Sequence, residues 1–298
     1  MLHANSIIGR IPLSLRQSLV RAGYVPRNAR WQTLHGGRVS RVFLISATGS
    51  ARSGAPHGLV CKLTHPACSS PLFPVDPVLE ARAMTALGPR FSVTPRTLIA
   101  WGQASCLLYP YVPETETDLR SEDVGSVLRA LHDTRLRPNV VRARRPVFAA
   151  SLVHLGLGYL QNAGWSEQRL ARIEAALRVP THGNVLLHGD PVRANILSTR
   201  SGPRLIDWQC IGRGDPCLDL FLALSPAMHR IYGGGASPLE PRAVLSGYGS
   251  TETAQRYRDL APALHVQMIG HCLWRAQRGD VDYLEALEVE QAQLARLL

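Results

Sequence analysis

Asp190, Asn195 and Asp207 have the types and spacing to do chemistry together. They lie in two short stretches, Leu187-His188-Gly189-Asp190-Pro191-Val192-Arg193-Ala194-Asn195-Ile196-Leu197 and Leu205-Ile206-Asp207-Trp208. Moving a γ-phosphoryl group to a hydroxyl requires a carboxylate to take the hydroxyl proton and oxygen ligands that hold magnesium against the nucleotide phosphates. One carboxylate and one amide oxygen suit magnesium, which takes oxygen ligands octahedrally and keeps several waters. A zinc site fits poorly, because His182, His188 and Asp190 lack the spacing of a zinc signature and no second ligand pair accompanies them. His188, beside a strand end, reads as a hydrogen-bonded structural residue. Val185-Leu186-Leu187 and Arg204-Leu205-Ile206 are short runs flanked by turn formers, so both carboxylates are expected at the ends of buried strands.

Lysine usage supplies a second signal. Lys62 is the only lysine among 33 basic residues, the rest being arginine, and it sits in the apolar, strand-like run Gly58-Leu59-Val60-Cys61-Lys62-Leu63. A compact ammonium on a flexible stem fits where a planar guanidinium does not. Upstream, Leu34-His35-Gly36-Gly37-Arg38-Val39-Ser40 reads as a glycine turn between strands, where backbone amides can approach an anion closely and Ser40 can add a hydroxyl. Downstream, Pro77 to Leu87 has the apolar spacing of a helix that buries one face, and its first turn carries Glu80. Glu80 is either a partner for Lys62 or an exposed glutamate favoured by the helix dipole.

Taken together, these segments resemble the aminoglycoside phosphotransferase and choline kinase family, small-molecule relatives of the protein kinases. The resemblance covers about residues 30 to 275, and its specific part is residues 187 to 220. It implies that Asp190 is the catalytic base, that Asn195 and Asp207 hold Mg2+, and that Lys62, oriented by Glu80, reaches the phosphates of ATP. It also implies a phosphate-covering loop with Gly36, Gly37 and Ser40, an adenine-binding strand and hinge within Cys106 to Val112, and a buried anchor for the catalytic loop at Asp219 in Gly214-Asp215-Pro216-Cys217-Leu218-Asp219-Leu220. Two departures stand out. The glycine loop lacks the three-glycine pattern of protein kinases, and the positions after the metal-binding strand, often acidic and aromatic in choline and thiamine kinase-like members, are Gln209 and Cys210. The acceptor therefore stays open between an amino alcohol, an aminoglycoside and a sugar or related alcohol. Trp208, Tyr232, Tyr248, Trp274 and Tyr283 are rings that a quaternary ammonium would use.

The elements that must position these residues follow from pattern. A helix is expected near Pro12 to Ala22, strands from 31 to 63 broken by a loop at 47–58, a helix at 77–87 and strands through Tyr111. Helices are expected at 124–132, 150–162 and 165–177 and again from Cys217 onward, with breaks at Gly233-Gly234-Gly235 and Gly247-Tyr248-Gly249. The fold class expected is α+β and two-lobed, protein-kinase-like: residues 1–112 form a small nucleotide-binding lobe with an antiparallel sheet, and 113–298 a larger, mostly helical lobe for catalysis and acceptor binding.

Composition sets the competing readings. With 45% hydrophobic and 18% charged residues the chain is globular rather than disordered. No apolar run approaches the roughly 20 residues needed to span a bilayer, and no signal-peptide core precedes a cleavage site, so a cytoplasmic protein is expected. The six cysteines form no Cys-x-x-Cys pair and read as reduced packing residues. A formal charge of +11 is the main argument for a polyanion-binding protein. Against nucleic acid, the arginines are scattered, and the densest group, Arg142, Arg144 and Arg145 beside Arg135 and Arg137, has no interleaved aromatics and reads as a solvated face. A catalytically inactive kinase-like binding protein is the other alternative, which the intact acidic set disfavours.

Overall fold

The computed structural model describes residues 11–34, 39–46, 58–115, 118–137 and 139–298. They divide into two compact units, one holding the chain up to Ser70 together with Pro74–Thr115, the other Pro71–Phe73 with everything from Glu116 onward.

The first unit is built on a five-stranded antiparallel sheet in the order β1-β2-β3-β5-β4, formed by β1 (Arg30–Leu34), β2 (Ser40–Ser46), β3 (Gly58–Thr64), β4 (Thr97–Trp101) and β5 (Ala104–Pro110). Helix α1 (Leu13–Arg21) covers one face through Leu15 and Leu19, which join Phe43, Ile45, Leu59, Cys61, Leu63, Cys106 and Leu108 in one core. Side chains alternate along a strand. Leu59, Cys61 and Leu63 thus enter this core while Lys62 turns to the opposite face. Because β3 is central, both its faces are covered, and every residue from Leu59 to Thr64 is buried. Helix α2 (Pro77–Phe91) starts at a strong cap: Asp76 accepts from the N–H groups of Val78 and Leu79 at 3.0 and 2.9 Å, and Pro77 opens the first turn.

The second unit is mostly helical. Its helices are α3 (Ser121–His132), α4 (Ala150–Asn162), α5 (Glu167–Leu177), α6 (Pro216–Leu224), α7 (Pro226–Tyr232), α8 (Pro241–Tyr248), α9 (Thr251–Ala276) and α10 (Asp282–Leu297). Two small antiparallel ladders carry the loops of interest: β6 (Val185–Leu187) pairs with β9 (Gly212–Gly214), and β7 (Ile196–Thr199) with β8 (Gly202–Leu205). The sequence pattern had shown β6 and β8 but not β7 or β9, whose residues are too few and too mixed to display a period. Helix α9 is the spine. It is buried all round from Ala263 to Cys272, which explains why no amphipathic stripe marks it.

Small residues let the helices meet backbone to backbone. A Cβ on Gly270 of α9 would stand 1.9 Å from the Leu152 carbonyl oxygen of α4, and one on Gly156 of α4 would stand 2.2 Å from that of Val266. The same device joins α3 to α8, where a Cβ on Gly247 would meet the Glu122 carbonyl at 2.0 Å. Gly247 is therefore a packing residue within the last turn of α8, and the break expected at Gly247-Tyr248-Gly249 falls two residues later, at the left-handed Gly249. The arginine run is also not one solvated face. Arg145 is buried, 7% exposed, and donates to the carbonyls of Leu72 and Cys210. All six cysteines are buried thiols, and among the described residues no helix is long and apolar enough to cross a membrane.

Gly270→Ala forces the spine away from α4, and overpacking of this kind costs about 1–3 kcal/mol. The expected result is a thermal midpoint lower by several degrees, read by calorimetry; an unchanged midpoint would contradict the backbone contact.

Candidate active site

The segment after β6 is held by one carboxylate. Asp219, on the first turns of α6 and completely buried, accepts from the backbone N–H of His188 at 2.7 Å, the N–H of Gly189 at 2.8 Å and Nε2 of His132 at 3.1 Å. An unpartnered buried carboxylate is very costly, and three donors offset that cost. Burial raises the Asp219 pKa, but the His132 hydrogen bond, the electrostatic attraction of the His132 and His188 rings and the Gly189 amide outweigh it, and the net pKa lies below the ordinary carboxylate value. His132 is oriented in turn by the Tyr248 hydroxyl, 2.9 Å from its Nδ1. Gly189 is left-handed at φ +81°, and a Cβ there would stand 2.1 Å from the Cys210 carbonyl oxygen, so only glycine allows the chain to turn here.

A single residue gathers the remaining groups through its backbone. Ile206 follows β8, and its carbonyl accepts from His188 Nε2 at 2.9 Å while its N–H donates to the Asn195 carbonyl at 3.0 Å. This assigns His188 a hydrogen on Nε2, so Nδ1 faces the Asp190 N–H at 3.3 Å as acceptor. Both imidazole nitrogens are engaged, and His188 is structural. Asn195, which precedes β7, donates from Nδ2 to the Asp190 carbonyl at 2.9 Å. That fixes the amide orientation and leaves Oδ1 as the end able to serve a cation. Asp207 follows Ile206 directly at φ 64° and ψ 69°, the only left-handed residue other than glycine among the described residues. Such a backbone costs a non-glycine residue roughly 1–2 kcal/mol, and strain of this kind concentrates at functional sites. Asp190 and Asp207 are half-buried and Asn195 is buried.

The acid–amide set also fits a hard cation chemically. Among the described residues no cluster of three or more His, Cys, Asp or Glu side chains forms a self-sufficient metal cage. One amide oxygen and one carboxylate at the open end of the β7–β8 hairpin match magnesium, whose other ligands come from phosphates and water.

In the first unit, Lys62 Nζ donates to both carboxylate oxygens of Glu80, at 2.8 and 2.9 Å, and each side chain is 1% exposed. Glu80 is thus a buried partner, and the exposed-glutamate reading falls. Ser40 opens β2 opposite Thr64 and is buried, with the two hydroxyls 2.7 Å apart. Gly36 and Gly37 lie outside the described residues. Within the second unit Asp190, Asn195 and Asp207 come together. His132, Tyr248 and Arg145, which hold their surroundings, were not recognisable in the sequence, because nothing local links His132 to a carboxylate 87 residues away.

The rings near the loop are largely committed. Trp208, Tyr283 and Tyr248 are buried. Arginines lie over three faces: Arg129 over Tyr248 at 5.6 Å, Arg275 over Tyr283 at 5.2 Å and Arg278 over Trp274 at 3.8 Å. Tyr232 has its hydroxyl 3.2 Å from that of Tyr283. Burial, then Tyr283 and Asp190, push its pKa well up, so it stays a neutral hydroxyl. His271 is buried against Tyr283, Phe73 and Trp274, and burial reinforced by Arg275 pushes it down to about 3. Gln209 and Cys210 are buried, 3% and 1% exposed.

Asp219 ties this site to acid stability. Because its folded pKa is depressed, its contribution is fully present above the unfolded carboxylate value near 4 and is lost as pH falls through the folded value. Asp219→Asn is expected to lower the neutral-pH midpoint and to flatten the fall of stability below about pH 4; an acid limb parallel to wild type would refute the linkage.

Comparison with known proteins identifies the fold and the family. No curated protein sequence matches the chain. Among solved structures, spectinomycin phosphotransferase in complex with ADP and spectinomycin superposes with a TM-score of 0.63 at 14% identity, covering 95% of both chains. Choline kinase from Streptococcus pneumoniae gives 0.62 at 14% identity, covering 95% of this chain and 98% of its own. Amicoumacin kinase in complex with AMP-PNP, Ca2+ and its antibiotic gives 0.58 at 14% identity, covering 95% and 91%. These likenesses establish a protein-kinase-like phosphotransferase fold. The model of the phosphotransferase enzyme family matches residues 30–260, well over half of the chain, and the protein belongs to that family.

Proposed function

We propose that the chain transfers the γ-phosphoryl group of Mg·ATP to a hydroxyl of a small molecule. Family membership makes it a small-molecule phosphotransferase; the nucleotide, the metal and the residue roles are the reading advanced here. The observation that carries it is the Asp219-pinned loop, which holds Asp190 beside Asn195 and the left-handed Asp207 through the Ile206 backbone.

Asp190 takes the proton from the acceptor hydroxyl as its oxygen bonds to the γ-phosphorus and the bond to the β-phosphate oxygen breaks, releasing ADP. Asn195 Oδ1 and the Asp207 carboxylate hold magnesium, which supplies positive charge against the phosphates. Lys62, fixed by Glu80, contacts nucleotide phosphates, and Ser40 with the Gly36-Gly37 backbone completes the phosphate loop. The amicoumacin kinase complex, with AMP-PNP and a divalent ion, supports nucleotide and metal use of this kind.

For the acceptor, the residues favour an uncharged alcohol or sugar over a quaternary ammonium. A cation needs exposed ring faces or carboxylates, whereas three of the rings are buried, Trp274 already lies under Arg278, and the positions after Asp207-Trp208 are a buried amide and a buried thiol.

Thermal unfolding tests the nucleotide half. Mg·ATP at about 100 times its dissociation constant stabilises by roughly 2.7 kcal/mol, several degrees for a chain of this size. The shift is expected in wild type only with magnesium, and is expected to vanish in Asp207→Ala. No shift in wild type would overturn the reading. With an acceptor found by ADP release, Asp190→Asn should lower kcat by about 10²–10⁴-fold, and unchanged turnover would remove Asp190 from the role of base.

A further inference from the structure

The arginine run divides between the interior and a cleft. Residues 143–145 lie along β9, with the Arg145 N–H donating to the Arg213 carbonyl and the Arg213 N–H to that of Ala143, both at 2.8 Å. Alternate side chains of an extended segment face opposite ways. Arg145 accordingly turns inward to the Leu72 and Cys210 carbonyls, while Arg142 and Arg144 are exposed. With Arg135 and Arg213 they line a cleft of about 680 Å³ whose walls include Val185 and Leu186 of β6. That volume is the size of a small-molecule site.

The charge of this cleft is one-sided. Its one acidic lining residue, Asp133, is paired with Arg129 at 2.7 Å. Arg213 is a rigid part of the wall, donating to the carbonyls of Val141, Asn184 and Leu136 at 3.2, 3.3 and 3.2 Å. No Phe, Tyr or Trp lines the cleft, and its only ring, that of His132, has both nitrogens engaged by Asp219 and Tyr248. Recognition there rests on guanidinium forks, which match phosphate oxygens in pairs, and not on stacking of bases. Asp190, Asn195 and Asp207 do not line it.

We propose that this cleft is a second ligand site, for a compact polyanion carrying two or more phosphate groups. It is independent of the phosphoryl-transfer reading, since it stands on shape and charge alone.

Calorimetric titration of the full chain with inorganic tripolyphosphate, without magnesium, tests it. Arg142→Ser/Arg144→Ser changes exposed side chains only and is expected to weaken one binding event about tenfold or more, since each replacement removes a charge-assisted hydrogen-bond donor to phosphate. The charge-matched Arg200→Ser/Arg242→Ser, outside the cleft, should bind like wild type. Equal weakening in the charge-matched variant would reduce the binding to nonspecific attraction and overturn the site. Full affinity in Arg142→Ser/Arg144→Ser would overturn it too, as would tighter binding of a single-stranded oligonucleotide than of tripolyphosphate at equal salt. Arg135→Ser, at another wall, is the second variant should the first fail to fold, and it must weaken the same event.

Discussion

The carboxylate of Asp219 is the constraint on which the candidate site depends. It is a full negative charge without solvent, tolerated because two backbone amides and an imidazole point at it. The requirement runs both ways. The amides of His188 and Gly189 have no sheet partner at the end of β6, so the carboxylate satisfies them and thereby sets the direction in which Asp190 leaves the strand. His132 brings the end of α3 to the same point and Tyr248 brings the end of α8, so three helices and a strand are referenced to one atom pair. Low dielectric makes such a network stiff when every donor is matched.

The chemistry-bearing residues were legible because their roles demand particular groups at short range. Asp190 and Asn195 are five residues apart, Asp207 follows an apolar strand, and Lys62 stands out in a chain that otherwise uses arginine. The helix start at Pro77 was equally readable, and the structure explains it by the Asp76 cap ahead of a residue fixed for the first turn. What could not be read is what depends on distance in the chain. Nothing in the spacing of His132, Arg145 or Tyr248 marks them as braces, and nothing local to Gly247 shows that it lets α3 approach α8 backbone to backbone. Strands β7 and β9, four and three residues long, are paired by the fold and not by their own propensity.

Arg145 shows how a sequence cluster can mislead. Five arginines within eleven residues look like one basic surface, yet the extended geometry beside β9 sends one of them inward as a brace for two carbonyls. Glycines make that possible: a Cβ on Gly212 would fall 2.4 Å from the Arg145 side chain, and one on Gly214 would fall 2.5 Å from its carbonyl oxygen. The same packing pins Arg144 on the outer side, where a positive wall results. The surface charge of this unit is therefore arranged by a core contact.

In the first unit the comparable element is the Lys62–Glu80 pair. Its contribution to stability is a weak reason for it to exist, because taking both charges out of water costs several kcal/mol per ion, and well-packed apolar side chains of equal volume commonly do as well or better. Cys61 and Leu63, its neighbours on β3, show that this strand accommodates apolar side chains readily. A lysine held by two hydrogen bonds on a central strand is instead a charge fixed in place, at the cost of burial. A fixed ammonium is suited to meeting another charge, and under the function proposed above that charge is a nucleotide phosphate, which would account for the one lysine that this arginine-rich chain keeps.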